Sequence, residues 1–178
     1  IYDPNSEVKS DFLDLHLIKN CSFYIGTTSG PMDVAELFNK NILTANIYPD
    51  TFNYLHQKTC SGITKHLMLD NSKIKISDIF KYYEYYFNHP WDSEDRDNFV
   101  FVDNTDEEIL QLVHDYLDRI NSNYFKLSDL QIEFNNRLIG CIKSMKVTNS
   151  TSYYNLLYAR LNLNFSGSIS NSFLQNNW

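Results

Sequence analysis

Two rhythms of apolar and polar residues alternate over the first fifty positions. From Asp11 to Asn20 the apolar residues Phe12, Leu15, Leu17 and Ile18 follow an N-cap at Ser10 or Asp11, which predicts a short helix. Cys21 to Thr27 places Phe23 and Ile25 on one parity with Tyr24 between them, the period of a strand, and ends in the polar cluster Gly26-Thr27-Thr28-Ser29-Gly30-Pro31. Pro31 suits the first turn of a helix, where its missing N–H costs nothing. Val34, Ala35, Leu37 and Phe38 supply an apolar face, so a helix is expected from about Pro31 to Phe38. After Asn39-Lys40-Asn41, the apolar run Ile42 to Ile47 has the length of a buried strand and stops at Tyr48-Pro49. This is a β-loop-α-β unit. Such a unit closes as a parallel pair with a right-handed crossover, which sets the loop and the helix N-terminus at the carboxyl edge of the sheet, where ligands bind.

Farther along the pattern weakens and then recovers. Thr51 to Leu69 shows no clear period, Ser77 to Phe87 reads as helix, and Phe99 to Val102 reads as a third strand, with an acidic loop, Asp92 to Asp97, between them. Thr105-Asp106-Glu107-Glu108 is a capping box ahead of the stripe Ile109, Leu112, Val113, Tyr116 and Leu117. Ser128-Asp129-Leu130-Gln131 repeats the device before a helix expected to run to about Ser144. The tail from Met145 is rich in Asn and Ser but keeps Tyr153, Tyr154, Leu156, Leu157 and Tyr158, so part of it is expected to dock as a helix. The expected fold is α/β: a Rossmann-like three-layer lobe with a parallel sheet over residues 1–144, and a helical C-terminal extension, 145–178, packing on or beyond it. The chain starts at Ile1 in a stretch that already reads as part of a domain, so a piece of a longer protein, incomplete at its N-terminus, is expected.

Composition narrows the function classes. A hydrophobic fraction of 43% over 178 residues allows a real core. The net charge of -7 gives no broad positive field to gather polyanions or anionic lipid, which argues against nucleic acid as a partner. Three widely spaced cysteines, Cys21, Cys60 and Cys141, make no disulfide framework and fit free thiols in a reducing compartment, so a cytoplasmic location is expected. No apolar stretch approaches the roughly 18 to 20 residues of a membrane span, so no transmembrane segment is expected. The Asn-x-Ser/Thr triplets at Asn20, Asn149 and Asn164 follow from Asn-rich composition rather than from glycan attachment.

The chemistry concentrates at Thr27, Thr28, Ser29 and Gly30. A strand that ends in Thr-Thr-Ser-Gly-Pro and opens a helix is an anion cradle. Free backbone N–H groups and the positive end of the helix dipole converge there, two hydroxyls add donors, and Gly30 lets backbone approach closely. A tight strand-to-helix turn with no ligand accounts for the same residues taken alone.

The wider stretch from Ser10 to Gly30, with Asp14-Leu15-His16 in its helix and Thr27-Thr28-Ser29-Gly30 at its end, resembles the donor-binding motif of a bacterial family of surface-carbohydrate glycosyltransferases. More distantly it resembles the Asp-x-His helix and Thr-x-Ser loop of α1,6-fucosyltransferases. Asn46-Ile47-Tyr48-Pro49, the run from Phe101 to Ile109, Ala159-Arg160 and the run from Ser172 to Trp178 extend the likeness over nearly the whole chain. The resemblance implies a GT-B fold, in which two Rossmann-like lobes face each other, with this chain as the C-terminal lobe that holds the nucleotide sugar. It implies that Ser29 and Gly30 donate to the donor's β-phosphate and that Asp14 pairs with the base. A carboxylate accepts two N–H donors from a guanine edge and finds no comparable pattern on uracil, so a guanine nucleotide is favoured. His16 and Asn46 are secondary candidates. The implied partners are the nucleotide sugar, a glycan acceptor and the N-terminal lobe of the same protein, with no further cofactor and no obligatory metal. The fucosyltransferases also use a basic residue for the diphosphate, and no Arg here matches it.

Other features have simpler explanations. His56, Cys60 and His66 match no standard zinc spacing. The aromatics Tyr82, Tyr83, Tyr85, Tyr86 and Phe87 fit packing between core and neighbour better than sugar stacking. Asp33 and Glu36 fit a solvated helix face, and neither they nor Asp50 stands out as a catalytic base. Two function classes compete with the glycosyltransferase: a noncatalytic carbohydrate- or protein-binding module on the same scaffold, and a nicotinamide-dependent sugar-nucleotide enzyme. The latter lacks its expected G-x-G-x-x-G turn.

Overall fold

Ser10 opens the first helix as its N-cap, its hydroxyl accepting from the Leu13 N–H at 3.1 Å, and the helix α1 runs Asp11–Asn20. The computed structural model describes residues 10–48, 60–82, 99–122, 126–146 and 167–178. Strand β1 is Phe23–Gly26, helix α2 is Gly30–Leu37 with Pro31 in its first turn, and strand β2 is Asn41–Ile47. Asn39, at φ 52°, closes α2 in the left-handed conformation that asparagine tolerates, its N–H donating to Glu36 O at 2.8 Å. β1 and β2 pair in parallel from Phe23 opposite Asn41 to Gly26 opposite Thr44. The β-loop-α-β unit expected from the sequence is present.

The sheet grows from β2 with a strand that the residue pattern did not reveal. β3, Cys60–Thr64, pairs in parallel with β2, and β7, Ser168–Ile169, pairs in parallel with β3, giving the order β1-β2-β3-β7. A second sheet, β5-β4-β6, is antiparallel: β4 is His66–Leu69, β5 is Ser72–Lys73 and β6 is Phe99–Val102. Asp70 and Asn71, at φ 49° and 61°, form the two-residue turn between β4 and β5, both in the left-handed region that matches strand twist. The strand expected at Phe99–Val102 therefore exists but lies outside the parallel sheet. It runs antiparallel to β4, Phe99 opposite Leu69 and Val102 opposite His66.

Helix α3, Ile76–Ile79, is a single turn where a longer helix to Phe87 was expected; residues 83–87 lie outside the described ones. Both capping boxes form. Thr105 and Glu108 start α4, Asp106–Asn121, and Ser128 and Gln131 start α5, Asp129–Ser144. Helix α6, Asn171–Asn177, ends the chain, and with it the described residues contain six helices. The tail aromatics Tyr153, Tyr154 and Tyr158 and the acidic loop Asp92–Asp97 lie outside the described residues.

Strand alternation assigns the two faces of the sheet. Ile42, Thr44 and Cys60 face α2, with the Thr44 hydroxyl 3.6 Å from Met32 Sδ. Phe23 faces the other way, its ring 5.3 Å from that of Tyr116 on α4. Helices therefore cover both faces. The core is built from Met32, Ala35, Ile42, Leu43, Ile47 and Ile63 with Leu112, Phe134, Leu138 and Ile142 from α4 and α5. α1 packs beside α2 but buries none of its own residues, and Phe12 is 79% exposed, so its apolar spacing is not matched by burial. The described residues thus form a mixed α/β fold around a parallel four-stranded sheet, compatible with a Rossmann-like lobe.

Candidate functional site

The turns that leave β1, β2 and β3 converge at one edge of the parallel sheet. The first is the candidate cradle. Thr27, Ser29 and Gly30 are exposed and Thr28 is partly so. Ser29 is the N-cap of α2, yet its side chain caps nothing: the hydroxyl donates back to Thr27 O at 3.2 Å. α1, α4 and α5 by contrast are closed by Ser10, Thr105 and Ser128. The first-turn amides of α2 therefore have no side-chain acceptor. A β-carbon built on Gly30 would meet nothing within 4 Å, so space in front of this turn is open.

α1 packs beside α2. Its first turn contains Asp14, which is half-buried. His16 is two residues on, about 200° around the helix from Asp14, and is exposed, its ring 6.5 Å from that of Phe12. The helix does not bring His16 to Asp14.

Asn46 has a structural assignment. The β2–β3 register slips between Thr44 and Ile47, so two residues of β2, Ala45 and Asn46, oppose Ile63 alone, and Asn46 takes φ 55°. The asparagine pair is reciprocal: Asn46 N–H donates to Asn104 Oδ1 at 2.8 Å and Asn104 N–H donates to Asn46 Oδ1 at 2.7 Å. Asn104 Nδ2 also donates to Thr64 O at 2.7 Å. This latch ties the ends of β2 and β3 to the turn that starts α4. In the sequence Asn104 stood only within the Phe101–Ile109 run and next to the Thr105 cap, with no role of its own.

The same edge carries polar pairings that join residues far apart in the sequence. Lys65 follows β3, pairs with Asp103, and lies with Nζ 4.5 Å from the centre of the Tyr48 ring. Burial works against its charge, but Asp103 and Tyr48 outweigh it and hold the ammonium above the usual lysine range. His66 Nε2 is 2.8 Å from Glu108 Oε2, the oxygen that also accepts from Thr105 N–H in the capping box. Burial alone would raise the Glu108 carboxyl, yet Thr105 and His66 hold it below its ordinary range. Thr64 is fully buried and its hydroxyl finds no hydrogen-bond partner. Cys60 sits at the start of β3 and His66 beyond its end, and no group of three His, Cys, Asp or Glu among the described residues could hold a metal.

The opposite edge has a cavity of about 630 Å³ near the starts of β3 and β7, lined among others by Ser61, Asp115, Arg119, Lys126 and Ser168. Much of its polar wall serves the fold. Arg119 Nη1 donates to Ser168 Oγ at 3.1 Å, while the Asp115 carboxylate accepts from Ser170 Oγ and from the N–H and Oγ of Ser172. Those bonds close the N-terminus of α6.

No family model, curated protein or solved structure matches the chain. Function therefore rests on the chemistry of the two edges. Among the described residues no helix is long and apolar enough to cross a membrane.

Proposed function

We propose that the chain is the donor-binding lobe of a nucleotide-sugar-dependent glycosyltransferase of GT-B type, acting in surface glycan synthesis. The observation that carries this reading is the β1–α2 turn: an uncapped helix N-terminus with open space over Gly30, at the carboxyl edge of a parallel sheet. Such a turn offers converging N–H donors and a positive dipole end to a phosphate. The resemblance of Ser10–Gly30 to bacterial glycosyltransferase donor motifs supports the same assignment.

In this reading Ser29 and Gly30 hold the β-phosphate, Thr27 and Thr28 add hydroxyls, and Asp14 accepts from the N–H groups of a guanine edge. The sugar leaves its diphosphate by displacement at the anomeric carbon, and the dipole end of α2 stabilises the charge that develops on the departing phosphate. The group that deprotonates the acceptor comes from the facing lobe. Amide hydrogen exchange with and without GDP tests the placement. Protection gained at Thr27 to Asp33 supports it, whereas GDP binding with protection confined to the opposite edge would refute it.

The opposite-edge cavity supports a second reading, a noncatalytic carbohydrate-binding module, because a polar hollow of about 630 Å³ lies in the range of small-molecule sites. A sugar that binds wild type and the Ser29→Glu variant equally, with no affinity for nucleotides, would favour that module.

A further inference from the structure

At the end of the parallel sheet away from the carboxyl edge, polar groups that the fold does not use face one hollow. β3 and β7 are parallel neighbours, and Ser61 stands opposite Ser168 in their register, so both side chains leave the same face of the sheet. That face looks at α4, because Arg119 Nη1 reaches Ser168 Oγ at 3.1 Å. Both serines line the cavity of about 630 Å³. They are deeply set, Ser61 at 6% exposure and Ser168 at 1%. The Ser61 hydroxyl nevertheless makes no hydrogen bond among the described residues, and Ser168 accepts from Arg119 with its own proton left to donate. Asn171, in the first turn of α6, lines the same cavity, and its Oδ1 is buried without a partner.

Polar groups so deeply buried are ordinarily paired, and uncommitted ones gathered on one wall point to a ligand that supplies their partners. The Asn171 oxygen only accepts, the Arg119 guanidinium only donates, and each serine does both. A ligand whose polar groups each donate and accept fits that mixture, and hydroxyls on a sugar ring have this property. The charges agree. Asp115 spends its carboxylate on Ser170 and Ser172, which leaves Asp118 and Asp129 on the cavity wall against Arg119 and Lys126. Neither sign dominates, so the wall does not gather phosphate or carboxylate and suits a neutral ligand. Tyr116 and Leu127 give the cavity an apolar part, against which the C–H side of a pyranose ring can lie.

We propose that this cavity is a second binding site of the chain, for a neutral sugar, with Ser61, Ser168 and Asn171 taking its hydroxyls. The site goes beyond the donor-lobe reading: it stands whether or not Thr27–Gly30 holds a nucleotide. It differs from the noncatalytic module in leaving the carboxyl edge free to bind a donor at the same time.

Amide-resolved NMR titration of the full chain with D-glucose, D-galactose and N-acetyl-D-glucosamine tests it, with inorganic phosphate and D-glucuronate as charged probes. The expected result is that at least one neutral sugar shifts the amides of Ser61, Ser168 and Asn171, more strongly than either anion does. Ser61→Ala removes a hydroxyl that bonds nothing in the fold, so its urea midpoint should match wild type while affinity for that sugar falls by about tenfold. Asn171→Ala should weaken the same sugar, and Ser29→Glu should leave it unchanged. The proposal is overturned if none of these sugars binds folded wild type, if the shifts lie away from the cavity, if the anions bind there more tightly, or if folded Ser61→Ala and Asn171→Ala both bind as wild type does. Sugar binding without GDP binding retains this site and sinks the donor lobe, whereas GDP binding without sugar binding does the reverse.

Discussion

Replacing Asn104 by alanine should destabilise the fold more than any change at Asn46, and the difference can be worked from the latch. The Asn104 side chain makes two hydrogen bonds, accepting from Asn46 N–H at 2.8 Å and donating to Thr64 O at 2.7 Å, in a residue only 8% exposed. Removing it leaves one N–H and one C=O without their partners in a poorly hydrated place, a loss of about 2–4 kcal/mol. Asn46→Ala removes one acceptor, for Asn104 N–H at 2.7 Å, and puts alanine at φ 55°. The lost bond and the backbone strain come to about 2 kcal/mol together. Asn46→Gly loses the same bond, but glycine occupies the left-handed region freely, so the cost falls to about 1 kcal/mol. The expected order is Asn104→Ala, then Asn46→Ala, then Asn46→Gly. Urea unfolding followed by circular dichroism measures all three as shifts of midpoint at constant slope. The reasoning is refuted if Asn104→Ala lies within about 0.5 kcal/mol of wild type, the noise of surface changes, or if glycine at position 46 is worse than alanine.

Three further outcomes follow from the same geometry. Gly30→Ala should fold as stably as wild type, because a β-carbon there meets nothing within 4 Å, yet weaken GDP by about tenfold by standing between phosphate and amides; unchanged GDP affinity would argue against close approach at this turn. Burial pushes the Cys60 thiol up to about 11, so mass spectrometry after native alkylation at pH 8 should find label on Cys21 or Cys141 and none on Cys60, and rapid Cys60 labelling would contradict its burial. Burial works against the charge of Asp115, but Ser170, Ser172 and Gln111 outweigh it and hold the carboxyl below its ordinary range. Its stabilising contribution is therefore present above the unfolded value of about 4 and lost as pH falls below that through the folded value. Hydrogen exchange of Ser168–Trp178 should accelerate in that acid window. Asp115→Asn should lose about 1–3 kcal/mol near neutral pH and remove the pH dependence; a variant with the wild-type acid profile would assign that dependence elsewhere.

What the sequence disclosed was set by how far each element depends on its neighbours. α1, β1, α2 and β2 carry their own punctuation in Ser10, the Gly26–Pro31 cluster and Asn39, and the capping boxes at Thr105 and Ser128 specify α4 and α5 locally. β3 carries none. Cys-Ser-Gly-Ile-Thr is buried at every position, so it shows no alternation, and Ser61 and Gly62 read as a turn. β7 is two residues long and exists because β3 offers it an edge. Phe99–Val102 is aromatic and β-branched as a strand should be, but its partner, β4, lay in the unassigned stretch, so its sheet could not be read. The candidate site divides in the same way. Thr27–Gly30 is local and was legible, whereas Lys65, His66, Asn104 and Glu108 come together only across sequence separations of about forty residues, through the packing of α4 against the end of β3.

Calorimetric titration of the chain with GDP, UDP and CDP, repeated on Ser29→Glu and Asp14→Ala, tests the central claim most directly. The donor-lobe account predicts selective binding of GDP, abolished when a carboxylate is placed at the mouth of the cradle by Ser29→Glu, with the preference for guanine lost in Asp14→Ala. Binding of no nucleotide by folded protein, or GDP binding indifferent to both substitutions, would contradict it.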